Sequence, residues 1–183
     1  MEQLTDIHLM NQVKQGDLDK MGLLFERHHK MLFGFFFNLT HDQTESEDLV
    51  QTVFYKIMKY RKNFRGEGKF TSWMFHIARN LFADWLKKNK RETRQQDFGE
   101  WENQLTTHST AQTDLEENEE QKMLRFALTQ LSESKREILV MSKLQQMKYE
   151  QIAEILDCSV GNVKVKVYRA MQDLKAVFKQ IPQ

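Results

Sequence analysis

Proline occurs once in this chain of 183 residues, at Pro182, so nearly every backbone N–H is available to a helix and almost nothing forces one to break. Hydrophobic residues recur every three or four positions along most of the sequence, and no stretch keeps the alternation of a half-buried strand. The pattern predicts an all-α fold. A first helix over Asp6 to Gln15 offers Ile7, Met10 and Val13 and ends before Gly16. A longer one follows through Leu18, Met21, Leu24, Phe25, Leu32, Phe33 and Phe36, and both stripes read as core. Thr44 and Glu47 stand at capping-box spacing ahead of Leu49, Val50, Val53, Phe54, Ile57 and Met58, a third helix. Gly66 and Gly68 mark a loop from Phe64 to Phe70, after which Trp73, Met74, Ile77, Leu81, Trp85 and Leu86 predict a fourth helix ending near Lys90.

From about Arg91 to Leu115 the periodicity fades into Gln, Thr, Ser, Asn and acids, the composition of a tether. Two small helical domains are therefore expected, over 1–92 and 118–183, joined by an acidic flexible linker over 93–117. In the second domain, Met123, Leu124, Ala127, Leu128 and Leu131 predict one helix, and Ile138, Leu139 and Met141 another with Ser132 as its cap. Tyr149 to Leu156 carries Ile152, Ala153 and Leu156. Asp157-Cys158-Ser159 then breaks the pattern, and Ser159 can cap a last helix bearing Val163, Val167, Ala170, Met171 and Leu174. That order is helix, tight turn, helix.

A composition 40 % hydrophobic and 29 % charged belongs to a water-soluble protein, and no apolar run reaches the roughly 18 residues of a membrane span. The first residues, Met1 to Asp6, do not have the basic-then-apolar order of a signal peptide, so a cytoplasmic location is expected. Cys158 is alone, which excludes an internal disulfide and a zinc-finger spacing; it reads as a small structural residue. The net charge of +1 conceals a strong segregation. Lys56 to Arg91 holds eleven basic residues against Glu67 and Asp84, Asp97 to Glu120 holds eight acids and no Lys or Arg, and Gly161 to Lys179 is basic again. Two basic surfaces flanking an acidic tether suit two contacts with a polyanion, because lysine and arginine gain by releasing counterions from phosphates.

The last helix opposes its apolar stripe with Asn162, Lys164, Val165, Lys166, Tyr168 and Arg169. In a helix-turn-helix the start of the second helix reaches base edges in the major groove, where Asn and Lys pair with adenine and guanine and apolar groups meet thymine methyls. Core burial is the competing reading for Val165. Around the glycine loop, Phe64, Arg65, Lys69, Phe70, Trp73, Phe75 and Arg79 interleave rings and cations, the composition of a single-strand site in which rings stack on unpaired bases. Trp73 lies on the apolar stripe and reads as core.

Catalytic chemistry is not supported. Gly66-Glu67-Gly68-Lys69-Phe70-Thr71 has too few residues between its glycines for a phosphate-binding loop, and Phe70 replaces the required hydroxyl residue. His28-His29 lacks an HExxH pattern, and Glu45, Glu47 and Asp48 sit at a helix start, where the dipole accounts for them. No catalytic residue, metal site, cofactor or small-molecule substrate is expected.

The runs Ser46-Glu47-Asp48-Leu49-Val50-Gln51, Phe64-Arg65-Gly66, Phe70-Thr71-Ser72-Trp73-Met74-Phe75-His76-Ile77-Ala78-Arg79-Asn80, Ile152-Ala153-Glu154-Ile155-Leu156 and Val160-Gly161-Asn162-Val163-Lys164 together resemble the extracytoplasmic-function sigma factors of bacterial RNA polymerase. The resemblance covers nearly the whole chain except the linker. It implies that 1–92 is a sigma region 2-like domain and 118–183 a region 4-like one. The helix from Glu45 to Tyr60, with Asp48, Gln51 and Tyr55, would dock on the clamp helices of the polymerase largest subunit; by pattern alone the same face could simply be solvated. Phe64 to Phe70 would capture a flipped base of the downstream promoter element. Asn80 would also contact the promoter, and the second domain would read the upstream element as duplex. The polymerase flap and an anti-sigma factor are further implied partners.

Two departures from the family pattern bear on promoter choice. Asn162 stands where the family usually has Thr, and Val165-Lys166 where it usually has Ser-Arg. Lys166 still neutralises a phosphate, but the bidentate guanine contact an arginine makes would be weakened. The competing function is a stand-alone helix-turn-helix regulator whose N-terminal domain binds a ligand or another protein.

Overall fold

A computed structural model describes residues 4–95 and 119–180. Every regular element among them is helical. They divide into two compact units, 4–37 with 43–95, and 119–180 with the short stretch 38–42. No described helix is long and apolar enough to cross a membrane. Most of the linker expected over 93–117 lies outside the described residues.

The first unit is built from four helices: α1 (Asp6–Gln15), α2 (Lys20–Thr40), α3 (Gln43–Lys59) and α4 (Phe70–Gln95), with a 3₁₀ turn at Arg61–Asn63. Helix α1 starts at Thr5, whose Oγ1 accepts from the His8 N–H at 3.2 Å. It stops at Gly16, where φ is 113° and the N–H groups of Gly16 and Asp17 donate to the Val13 and Gln12 carbonyls. That left-handed C-terminal turn is open to glycine at no steric cost. The core takes Leu9, Met10 and Val13 from α1, Leu24, Leu32, Phe35 and Phe36 from α2, and Leu49, Val50, Val53, Phe54 and Ile57 from α3. Ile7 and Phe33 are only half-buried, and Leu18 and Phe25 are exposed, contrary to the sequence expectation. Consecutive helical residues turn by about 100°, so Phe33, Phe35, Phe36 and Phe37 cannot all face inward. Phe35 and Phe36 do, and Phe35 meets Phe75 of α4 edge-on at 5.2 Å.

Helix α3 begins at Gln43, one residue ahead of Thr44, so Thr44 is not its cap. Only His41 and Asp42 separate it from α2, and the turn is closed by the Asp42 N–H donating to Thr40 Oγ1 at 3.2 Å. Glu47 instead accepts from the Gln43 amide at 2.9 Å. Helix α4 runs to Gln95, beyond the end expected near Lys90 and past the 92/93 boundary, and Trp85 Nε1 ties it to Glu45 of α3 at 2.8 Å.

In the second unit α5 (Glu119–Thr129), α6 (Glu133–Leu139), α7 (Tyr149–Ile155) and α8 (Val160–Gln180) enclose Leu128, Leu131, Ile138, Leu139, Ile152, Val163, Val167 and Leu174. Ser132 holds the cap position of α6, but its hydroxyl makes no capping bond. Arg136 does more: its guanidinium donates to the Leu128 and Thr129 carbonyls at 2.9 Å and to Leu131 at 3.3 Å, satisfying the last acceptors of α5. Lys135 pairs with Asp173, fastening α6 to α8.

Candidate nucleic-acid interface

Helix α7, a turn at Asp157 to Ser159, and α8 form a helix-turn-helix. Asp157 adopts φ 48°, a left-handed conformation that Asp tolerates better than most residues, and the Cys158 N–H donates to the Ala153 carbonyl at 3.0 Å. Ser159 Oγ then accepts from the Asn162 N–H at 3.2 Å, capping α8. Spacings of four, three and four turn Val163, Val167, Ala170 and Leu174 onto one buried stripe. Asn162, Lys164, Val165, Lys166, Tyr168 and Arg169 are all exposed as a consequence. Val165, whose burial was the competing reading, is 46 % exposed and Tyr168 65 %. A helix presenting amide, cation, methyl and phenol groups in its first three turns carries the groups that meet base edges and phosphates in a major groove.

The N-terminal aromatic set divides differently. Phe64 is 2 % exposed, Phe70 1 % and Phe75 0 %, so the expectation that these three rings stack on unpaired bases is corrected: they are core residues. Phe64 packs against Trp73 at 5.2 Å between ring centroids, Phe70 against His28 at 5.4 Å, and Phe75 against Phe35. The apolar area removed from water on both sides of each ring outweighs what one exposed face would gain in a free chain. Of the candidate site residues, Arg65, Lys69 and Asn80 face outward, with Glu67 exposed between the two cations and Arg79 half-buried. Trp73, expected in the core, is half-buried, its ring against Phe64 and Phe70. Gly66 and Gly68 take φ values of 76° and 77°, which lets the six-residue loop reverse over the buried phenylalanines.

On α3, Asp48, Gln51 and Tyr55 follow at spacings of three and four and are all exposed on one face. Gln51 also lines a groove of about 410 Å³ with Glu47, Val50, and Phe25, His29, Lys30 and Phe33 of α2. The α2 side of this groove was missed because Phe25 and Phe33 fit an apolar stripe and read as core. Lys14, whose ammonium donates to the Phe64 carbonyl at 2.7 Å, also escaped the sequence reading, because a lone lysine at the end of an amphipathic helix carries no signal for such a contact. Among the described residues no group of three His, Cys, Asp or Glu side chains could hold a metal ion.

A helix-turn-helix whose second helix exposes a basic face, preceded in the chain by a helical unit with a cationic loop, is the architecture of a DNA-binding transcription protein. Residues 24–92 match Sigma-70 region 2 and residues 121–174 match Sigma-70 region 4. The chain is 30 % identical to the ECF RNA polymerase sigma-E factor of Haemophilus influenzae, over 93 % of this chain and 94 % of that protein. With the sigma-E factor of Escherichia coli K12 the identity is 31 %, over 93 % of each. A solved structure of the sigma factor RpoE with the anti-sigma factor NepR from Bartonella quintana superposes with a TM-score of 0.65 at 26 % identity, covering 86 % of this chain and 96 % of that one. This chain belongs to the extracytoplasmic-function family of RNA polymerase sigma factors.

Proposed function

We propose that the protein acts in the cytoplasm as the dissociable promoter-recognition subunit of RNA polymerase and has no catalytic activity of its own. The observation that carries this reading is the exposed face of α8, six residues of polar, basic and methyl character set opposite a fully apolar stripe. In this reading residues 118–183 recognise the upstream promoter element as duplex and contact the polymerase flap. Residues 1–92 bind the clamp helices through Asp48, Gln51 and Tyr55 and open the downstream element with the loop at 64–69, where Arg65 and Lys69 contact the displaced strand. Arg79 and Asn80 add contacts from α4, and 93–117 tethers the two halves. The buried Phe64, Phe70 and Phe75 form the floor that shapes the loop. An anti-sigma factor is a further proposed partner, supported by the one bound to the Bartonella quintana relative.

Mixing the protein with core RNA polymerase and genomic fragments, then mapping transcript starts, tests the proposal. New start sites that require both components are expected. Tight, sequence-specific binding of the isolated protein to duplex DNA, with no start sites added by it, would favour a stand-alone regulator instead.

A further inference from the structure

With Phe64, Phe70 and Phe75 turned inward, the exposed aromatic nearest in sequence to the start of the loop is Tyr60, 42 % exposed. Backbone bonds set its position. Its N–H donates to the Lys56 carbonyl at 2.8 Å, closing α3, and its own carbonyl accepts from the Asn63 N–H at 2.8 Å, opening the 3₁₀ turn that leads to Phe64. The ring therefore stands where helix gives way to loop, and Lys59 Nζ lies over it, 5.4 Å from the centroid. The segment from Lys59 through Lys69 holds five basic residues and one acid, Glu67. Lys59, Lys62, Arg65 and Lys69 are exposed, while Arg61 is half-buried and donates to the Met58 carbonyl at 2.9 Å. An exposed ring among cations that can reach phosphates is the arrangement on which unpaired bases stack, because every base offers a π-face to the ring.

We propose that Tyr60 is a stacking site for an unpaired base of single-stranded DNA, with Lys59 and Lys62 on the flanking phosphates. The proposal rests on the reading that the loop at 64–69 opens the downstream element, and it extends that site back onto the end of α3. Stacking needs the π-face and not the hydroxyl, so phenylalanine is a sufficient replacement and leucine, apolar but without a π-face, is not.

Holoenzyme assembled from core polymerase and the full chain is titrated with random-sequence 12-nucleotide single strands carrying 2-aminopurine, with core polymerase alone as baseline. Tyr60→Phe should bind and quench as the native protein does, whereas Tyr60→Leu and Tyr60→Ala should lose on the order of tenfold in affinity and most of the quenching. Binding of the same sequences as duplex should not change, nor should the circular dichroism of the free variants. Native-like affinity and quenching in a folded Tyr60→Leu holoenzyme overturns the proposal, as does an equal loss in Tyr60→Phe. A paired change, Arg65→Ala with Lys69→Ala, separates the two readings through permanganate reactivity of a mapped promoter. Lost opening there beside native-like strand binding by Tyr60→Leu sinks the stacking site alone. Unchanged opening sinks the loop reading, and a tenfold loss in Tyr60→Leu then still supports stacking.

Discussion

The ammonium group of Lys14, in the last turn of α1, donates a 2.7 Å hydrogen bond to the carbonyl of Phe64, fifty residues further along the chain. A Cβ added at Gly66 would sit 3.7 Å from Asn11 Oδ1, one turn earlier on the same helix. Asp6, at the other end of α1, accepts from Arg27 and pairs with the buried His28, whose ring packs on Phe70. Both ends of the loop at 64–69 are thus braced, directly or through α2, by the first helix.

Replacing Lys14 by Met keeps the apolar stem and removes the donor, leaving a partly buried carbonyl unsatisfied at a cost of about 1–3 kcal/mol. Amide hydrogen exchange at Arg65 to Lys69 should quicken while exchange in α3 stays as it is. Unchanged exchange in the loop would show that α1 does not brace it.

The burial of Phe64 and Phe75 separates a core role from a stacking one. Phe75→Ala should cost about 3–5 kcal/mol and lower the melting temperature by many degrees. Phe64→Leu, which removes three carbons but keeps a branched apolar group in the core, should cost less than the alanine change, about 1–2 kcal/mol. Holoenzyme carrying it should still open a promoter as measured by permanganate reactivity. Lost opening in a stable Phe64→Leu protein would restore a direct role for the ring.

Asp48 and Gln51 share an exposed face of α3, and changing both to Ala should leave the fold intact and weaken binding to core polymerase on the order of tenfold or more. Competition against the native protein for limiting core measures it. A folded double variant that competes equally well would remove α3 from the interface.

On α8, the exposed Val165 and Lys166 should separate sequence choice from phosphate affinity. Val165→Ser should relax preference among upstream-element variants with little change in salt dependence. Lys166→Ala should weaken all sequences alike and reduce the slope of log K against log salt by about one. Holoenzyme binding to a panel of upstream variants at several salt concentrations reads both effects. Exchanged effects of the two substitutions would refute the division.

Helix positions and the exposed face of α8 were legible in the sequence because both follow from local rules. Without internal proline, a 3.6-residue period must be satisfied along each helix, and the period that buries Val163, Val167 and Ala170 necessarily turns Asn162, Val165, Lys166 and Arg169 outward. The end of α1 at Gly16 and the cap at Ser159 are equally local. The aromatic cluster of the first unit could not be sorted in that way. Alternating rings and cations in a glycine loop have no period, so whether Phe64 faces a base or Trp73 depends on where α1, α2 and α4 close around it. Only the tertiary structure decided that, burying Phe64, Phe70 and Phe75, leaving Phe25 and Tyr60 partly in solvent, and bringing Lys14 onto a carbonyl fifty residues away, because hydrophobic burial is scored over the assembled core and not along the chain.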